Sequence, residues 1–141
     1  MLLFFLTSVV AFGSSGHETV AAIADNLLSP AAHNKLEEIL PKGMTLVDGS
    51  TWPDRIKSDK RFGWSEPHHY VNAENDFPPY SCQSVFPSGK NDVISAIVKY
   101  AEELAKNDES KGYVYSKRAE ALFFLTHYIG DIHQPLHGKL V

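Results

Sequence analysis

The sequence predicts an all-α domain with long loops, and three observations predict it. Apolar residues recur at helical spacing over 17–28, 30–40, 91–106 and 113–133. Between the second and third of these, 43–90 carries five prolines (Pro53, Pro67, Pro78, Pro79, Pro87) and little periodicity. No repeat or low-complexity tract interrupts the pattern. The chain has 141 residues, 43% of them hydrophobic, which is enough to bury one core.

Each element has a local reason. Met1–Ala11 is uncharged, with only Thr7 and Ser8 polar. A spanning helix needs roughly 20 apolar residues, so this stretch reads as the apolar part of a secretory signal, cleaved after Ala11, despite lacking a basic start. In the first helix Val20, Ala21, Ala24, Leu27 and Leu28 share a stripe with His17, and Ser14 or Ser15 is the candidate cap. Ser29-Pro30 ends that helix and starts the next, which Pro41-Lys42-Gly43 breaks. The irregular 43–90 region follows, and long ordered loops in compact domains usually carry function. In 91–106, Val93, Ile94, Ile97, Ala101 and Leu104 form one apolar face. Asn107–Gly112 is a polar turn. The last helix, from Tyr113 to about His133, is apolar all round at Ala121–Leu125, which places it in the middle of the fold.

Composition excludes several function classes. Thirteen Lys and Arg against seventeen Asp and Glu give a net charge of −4, so a generally basic nucleic-acid coat is absent. One cysteine, Cys82, allows neither an internal disulfide framework nor an all-cysteine metal site. No stable membrane insertion is expected, and the chain is expected to be a monomer. The seven histidines are the notable inventory.

The final helix carries His127 and Asp131, four residues and about 40° apart, so the two share a face. Such a pair either forms a hydrogen bond at a helix end or shares a metal ion. Its apolar surroundings favour a cation, because a bare buried carboxylate is costly. His133 lies about 200° round from Asp131 and should face solvent or stand behind the site. Pro135 must stop or bend the helix, which could re-aim His137. Gly130 permits a close approach to the backbone. In the loop region Asp54 follows Trp52-Pro53, and only one of His68 and His69 can face a given site. Arg55, Lys57, Lys60 and Arg61 with a single acid, Asp59, are either a solvated loop or a local phosphate-binding patch. The sum is His17, Asp54, His69, His127, Asp131 and His137. This nitrogen and oxygen set without thiolate suits Zn²⁺ and hydrolysis.

Four motifs occur in order: Phe12-Gly-Ser-Ser-Gly-His17, Trp52-Pro-Asp54, His69-Tyr-Val-Asn-Ala-Glu74 and His127-Tyr-Ile-Gly-Asp-Ile-His-Gln-Pro-Leu-His137. Together they resemble the zinc-dependent single-strand-specific nucleases (type I nuclease/3′-nucleotidase) of the zinc phospholipase C/nuclease superfamily. The resemblance runs from Phe12 to the end and implies a secreted, mainly α-helical nuclease domain over 12–141, with three zinc ions in a cleft. It implies one zinc on Asp54, His69, His127 and Asp131. A second would lie on His17, bridging Asp131, and the amino and carbonyl groups of Phe12, where the family usually has Trp. A third needs His137 with a His and an Asp from further downstream. The chain is therefore expected to be incomplete at its C-terminus, with the disulfide partner of Cys82 outside it.

The implied reaction is phosphodiester hydrolysis of single-stranded DNA, RNA and 3′-nucleotides. Asp54 would orient the attacking water, Lys57 would assist the phosphate, Tyr70 would stack on a base, and Asn72 would fall where a base-contacting Asp can occur. Two alternatives stand beside this: a phosphatidylcholine-type phospholipase C on the same scaffold, and an inactive truncated zinc-binding fragment.

Overall fold

The computed structural model describes residues 12–73, 91–134 and 137–140, with the side chains of 72, 73 and 138–140 excepted. The expected signal at 1–11, Cys82 and Pro135 lie outside the described residues. The domain is helical as expected: α1 (Ser14–Leu27), α2 (Pro30–Ile39), α3 (Leu46–Ser50), α4 (Trp52–Ile56), a 3-10 helix (Gly63–His69), α5 (Val93–Ala105) and α6 (Lys117–Ile132). Two three-residue strands, β1 (Val71–Ala73) and β2 (Gly138–Leu140), pair in parallel, with Val71 opposite Gly138 and Ala73 opposite Leu140. No described helix is long and apolar enough to cross a membrane.

Side-chain caps set most helix starts. The Ser29 hydroxyl accepts from the Ala32 amide ahead of Pro30, as the sequence predicts. Asp92 caps α5 through Ser95 N, and Ser116 caps α6 through Ala119 N. The last helix therefore begins at Lys117 and not at Tyr113. Ser116 offers the first unpaired amides an acceptor, and the preceding Lys111 pairs with Ser116 in an isolated bridge. In contrast, α1 starts at Ser14 with Gly13 at its cap and no side-chain bond, so neither Ser14 nor Ser15 caps it. Asn107, between α5 and α6, takes the left-handed backbone (φ 53°) that Asn tolerates better than most side chains.

The region read as irregular holds short structure where the chain is described. Thr45 and Asp48 form a capping box that starts α3: Thr45 Oγ1 accepts from Asp48 N, and Asp48 Oδ2 accepts from Thr45 N. The face of α5 also differs from the periodic reading. Val93, Ala96 and Tyr100 are buried, while Ala101 is exposed. The Tyr100 ring stacks on Phe124 at 4.9 Å, and a large ring gains more from burial than a methyl group does.

Helix α6 lies between two apolar clusters. On one side Phe123, Phe124, Ala121 and Tyr128 pack with Trp52, Phe62, Val93, Ala96 and Tyr100. On the other, Ala119 and Leu122 pack with Ala21, Leu36, Ile39 and Leu46. Its sequence could therefore be apolar all round, and its C-terminal turn ends up ringed by α1, the α3–α4 junction and the 3-10 helix.

Candidate metal centre

The centre is built outward from α6. His127 and Asp131 are fully buried on one face, with His127 Nε2 at 3.2 Å from Asp131 Oδ2. At the C-terminus of α3, the Ser50 carbonyl lies 2.7 Å from His127 Nδ1. A carbonyl only accepts, so Nδ1 carries a proton, and Nε2 is the ring nitrogen turned to the Asp131 carboxylate.

Each neighbouring element adds one side chain. The 3-10 helix turns about 120° per residue, which sends His68 to Asn91 and His69 to Asp131. His69 Nδ1 sits 2.9 Å from Asp131 Oδ2 and 3.0 Å from His127 Nε2. In α4, Trp52 points into the aromatic core and Asp54, two positions on, faces the histidines. The Asp54 carboxylate is 3.7 Å from His127 Nε2, 3.9 Å from His69 Nδ1 and 4.0 Å from His17 Nε2. His17, in the first turn of α1, stacks its ring on His127 at 3.8 Å and brings Nε2 to 3.4 Å from Asp131 Oδ1. The β1–β2 pairing returns the chain beside His69, where His137 Nδ1 lies 2.6 Å from the His69 carbonyl and 3.1 Å from Asp131 Oδ1.

Four imidazoles thus surround one buried carboxylate, with a second carboxylate at the edge. Burial, then the neighbouring His127, lowers the pKa of His17 to about 4, against the pull of Asp131 and Asp54, so His17 is neutral at pH 7. Burial pushes the Asp131 carboxyl up. Hydrogen bonds and charge attraction from His127 and His69 outweigh that and hold it well below the usual carboxylate range. Asp54 is likewise below its ordinary value: burial opposes ionisation, and the Lys57 ammonium 2.9 Å away, with His127 and His69, overrides it.

The donor set fits a metal ion. Both ring nitrogens of His17, Nε2 of His69 and Oδ1 of Asp131 are buried with no hydrogen-bond partner among the described residues. Native interiors rarely leave such atoms unpaired. Two triplets of ligand atoms lie within 4.8 Å of one another: His17, His127 and Asp131, and Asp54, His69 and His127. Nitrogen and carboxylate donors in this number can hold a divalent cation.

The remaining predicted positions divide clearly. Phe12 turns its ring edge-on to His17 at 6.3 Å, and a Cβ on Gly16 would stand 2.6 Å from that ring. Lys57, His69, Tyr70 and His137 line a cavity of about 430 Å³ with Ser58 and Glu66. Tyr70 is 37% exposed there. Asn72 lies in β1 opposite Lys139, and its side chain is outside the described set, as is Cys82. His133 is exposed with Nδ1 on the Ile129 carbonyl, outside the centre as its helical angle required. Of the basic loop, Arg61 forms a bidentate pair with Asp59, Arg55 bonds Thr51 and Lys60 is exposed, while Lys57 reaches the centre's edge at Asp54, 2.9 Å away. Sequence reasoning missed the carbonyls of Ser50 and His69, which orient His127 and His137, because a backbone acceptor leaves no mark in the sequence. It also missed Ser58 and Glu66.

Comparison with known proteins agrees with this geometry. Residues 12–140 match the family model described as S1/P1 Nuclease. The chain is 33% identical over 140 residues to Endonuclease 5 of Arabidopsis thaliana, covering 91% of this chain and 46% of that protein. It is 35% identical over 133 residues to Nuclease S1 of Aspergillus oryzae (91% and 44%) and 34% identical over 133 residues to Nuclease P1 of Penicillium citrinum (91% and 47%). The chain spans about half the length of the curated relatives it matches.

Proposed function

We propose that this chain, which belongs to the S1/P1 nuclease family, carries the core of a zinc-dependent hydrolase acting on phosphodiester bonds. Its substrates would be single-stranded DNA, RNA and 3′-nucleotides, cleaved to 5′-phosphate products. The observation that carries the reading is the convergence of His17, His69, His127 and His137 on the buried Asp131 carboxylate, with Asp54 at the edge.

Asp54, His69, His127 and Asp131 would hold one zinc. His17, Asp131 and the amine and carbonyl of Phe12 would hold a second, and His137 would contribute to a third. Bound zinc supplies Lewis acidity toward a phosphoryl oxygen and toward water. The chain's own groups do the rest. The Asp54 carboxylate, held below its ordinary pKa and partly exposed, would orient a water at the centre's edge. Lys57 brings a fixed positive charge to the same edge, where the phosphate would lie. Tyr70 offers an exposed ring on which a base can stack, and Asn72 follows two positions on. A free amine at Phe12 requires removal of 1–11, which ties the site to export from the cell.

The test is zinc analysis together with hydrolysis of single-stranded DNA, 3′-AMP and a phosphatidylcholine analogue. Bound zinc with nucleotide release is expected, and Lys57→Ala should lower kcat/KM about 10²-fold with zinc content unchanged. Lipid turnover without nucleotide release, or a chain that binds no zinc, would sink the reading.

A further inference from the structure

A second cavity, of about 460 Å³, opens between α5, the N-terminal half of α6 and the 111–113 loop. Its Glu120 is 11 residues, or about 16 Å along the helix, from Asp131, so it is separate from the metal centre. The lining includes four aromatic side chains: Trp64, Tyr100, Phe124 and the exposed Tyr113. This volume suits a ligand of nucleotide size.

The polar groups are sorted by depth. Glu120 is 6% exposed, and its Oε1 accepts from the Val114 and Tyr115 amides. Its Oε2 forms no hydrogen bond among the described residues and packs over Gly112, where any Cβ would collide with the carboxylate. At the mouth, the rim charges largely cancel. Glu103 pairs with Lys106 at 2.6 Å and Lys117 with Asp108 at 3.1 Å. Lys99 and Lys111 have no carboxylate partner among the described residues. Lys99 stands over the rings of Trp64 and Tyr100, at 5.4 Å and 5.0 Å.

A deep carboxylate oxygen, aromatic walls and two uncompensated ammonium groups at the mouth define a complementary ligand. It has a flat ring bearing an amino group, which enters first, and an anionic group, which stays at the rim. We propose that this cavity binds such a ligand, of the nucleoside 5′-monophosphate class. The ring amino group would donate to Glu120 Oε2, the ring would lie against the exposed Tyr113, and the phosphate would meet Lys99 and Lys111. The proposal stands on this cavity alone and does not depend on hydrolysis at the metal centre.

The test is equilibrium binding of 5′-AMP to full-length chain carrying Lys57→Ala and Tyr70→Ala, which disable the cleft beside the histidines. One molecule per chain should still bind. Adding Lys99→Gln and Lys111→Gln should weaken that binding at least tenfold. Adenosine and inorganic phosphate should each bind at least tenfold more weakly than 5′-AMP. Both lysines are at the surface, and an unchanged Tm confirms that the substituted chain still folds. No binding to the Lys57→Ala/Tyr70→Ala chain, or binding indifferent to the lysine pair, would overturn the proposal. So would adenosine or phosphate binding as tightly as 5′-AMP. Single-stranded DNA cleavage by the unsubstituted chain, measured in parallel, reports on the metal centre independently of either result.

Discussion

Gly130 and His17 touch so closely that a Cβ on Gly130 would stand 2.5 Å from His17 Nδ1. The glycine is inside α6, where it costs about 1 kcal/mol of helix stability relative to alanine. That cost makes room for a ring that reaches Asp131 from another helix. Gly130→Ala should improve the helix and push His17 away from Asp131. We expect zinc affinity to fall at least about tenfold, within the range for displaced groups around a metal. Titration of the zinc-free chain checks this, and an unchanged affinity would show that His17 is not held by this contact.

Asp131 is the group on which the histidines converge, whereas His133, two residues on, is exposed and bonded to its own helix. Asp131→Asn should therefore lower zinc affinity by at least about 10²-fold. His133→Ala should leave metal content within twofold of the parent. Equal losses in the two variants, measured by metal analysis after dialysis, would contradict the helical-face argument.

The parts of the centre legible in the sequence were those governed by local geometry. The His127–Asp131 pair follows from the helical period, and the outward direction of His133 follows from the same arithmetic. His17 was legible as inward-facing because Val20, Ala21 and Ala24 share its stripe. The assembly of these residues with Asp54, His69 and His137 was not derivable from spacing. Asp54 and His69 arrive on elements that pack against α6, and His137 depends on a strand pair joining residues 67 positions apart (Val71 with Gly138), whose three-residue strands carry no usable periodicity. Helices α3 and α4 were missed because five residues are too few for a period. The Thr45–Asp48 box was the signal available there. The start of α6 was misplaced because Tyr113–Tyr115 read as apolar helix, while the Ser116 cap decided the matter.

Stability should depend most on the junction of α3 with α6. Phe123 is fully buried, and its ring fills the space where a Cβ on Gly49 would go. Phe123→Ala should cost about 3–5 kcal/mol, from lost burial plus the cavity left behind. Gly49→Ala, which adds a single carbon, should cost about 1–3 kcal/mol by overpacking. Urea unfolding measures both, and a neutral Gly49→Ala would show that this junction is loosely packed.

The zinc-free chain should be destabilised by acid well before its exposed carboxylates titrate. Burial and the neighbouring His127 lower the His17 pKa from 6.5 to about 4 in the fold, so over that window the native state binds fewer protons than the unfolded chain. Stability from this group is fully present above pH 6.5 and is lost as pH falls toward 4. One proton accounts for at most about 1.4 kcal/mol per pH unit. Asp131 adds a loss of the same sign at lower pH. Burial raises its carboxyl, but hydrogen bonds from His127 and His69 hold it below its ordinary value of 3.8. Urea unfolding of EDTA-treated protein at pH 7 and pH 5 should show the first loss, and His17→Asn should flatten it. A slope that persists unchanged in His17→Asn would assign the acid sensitivity to another buried group.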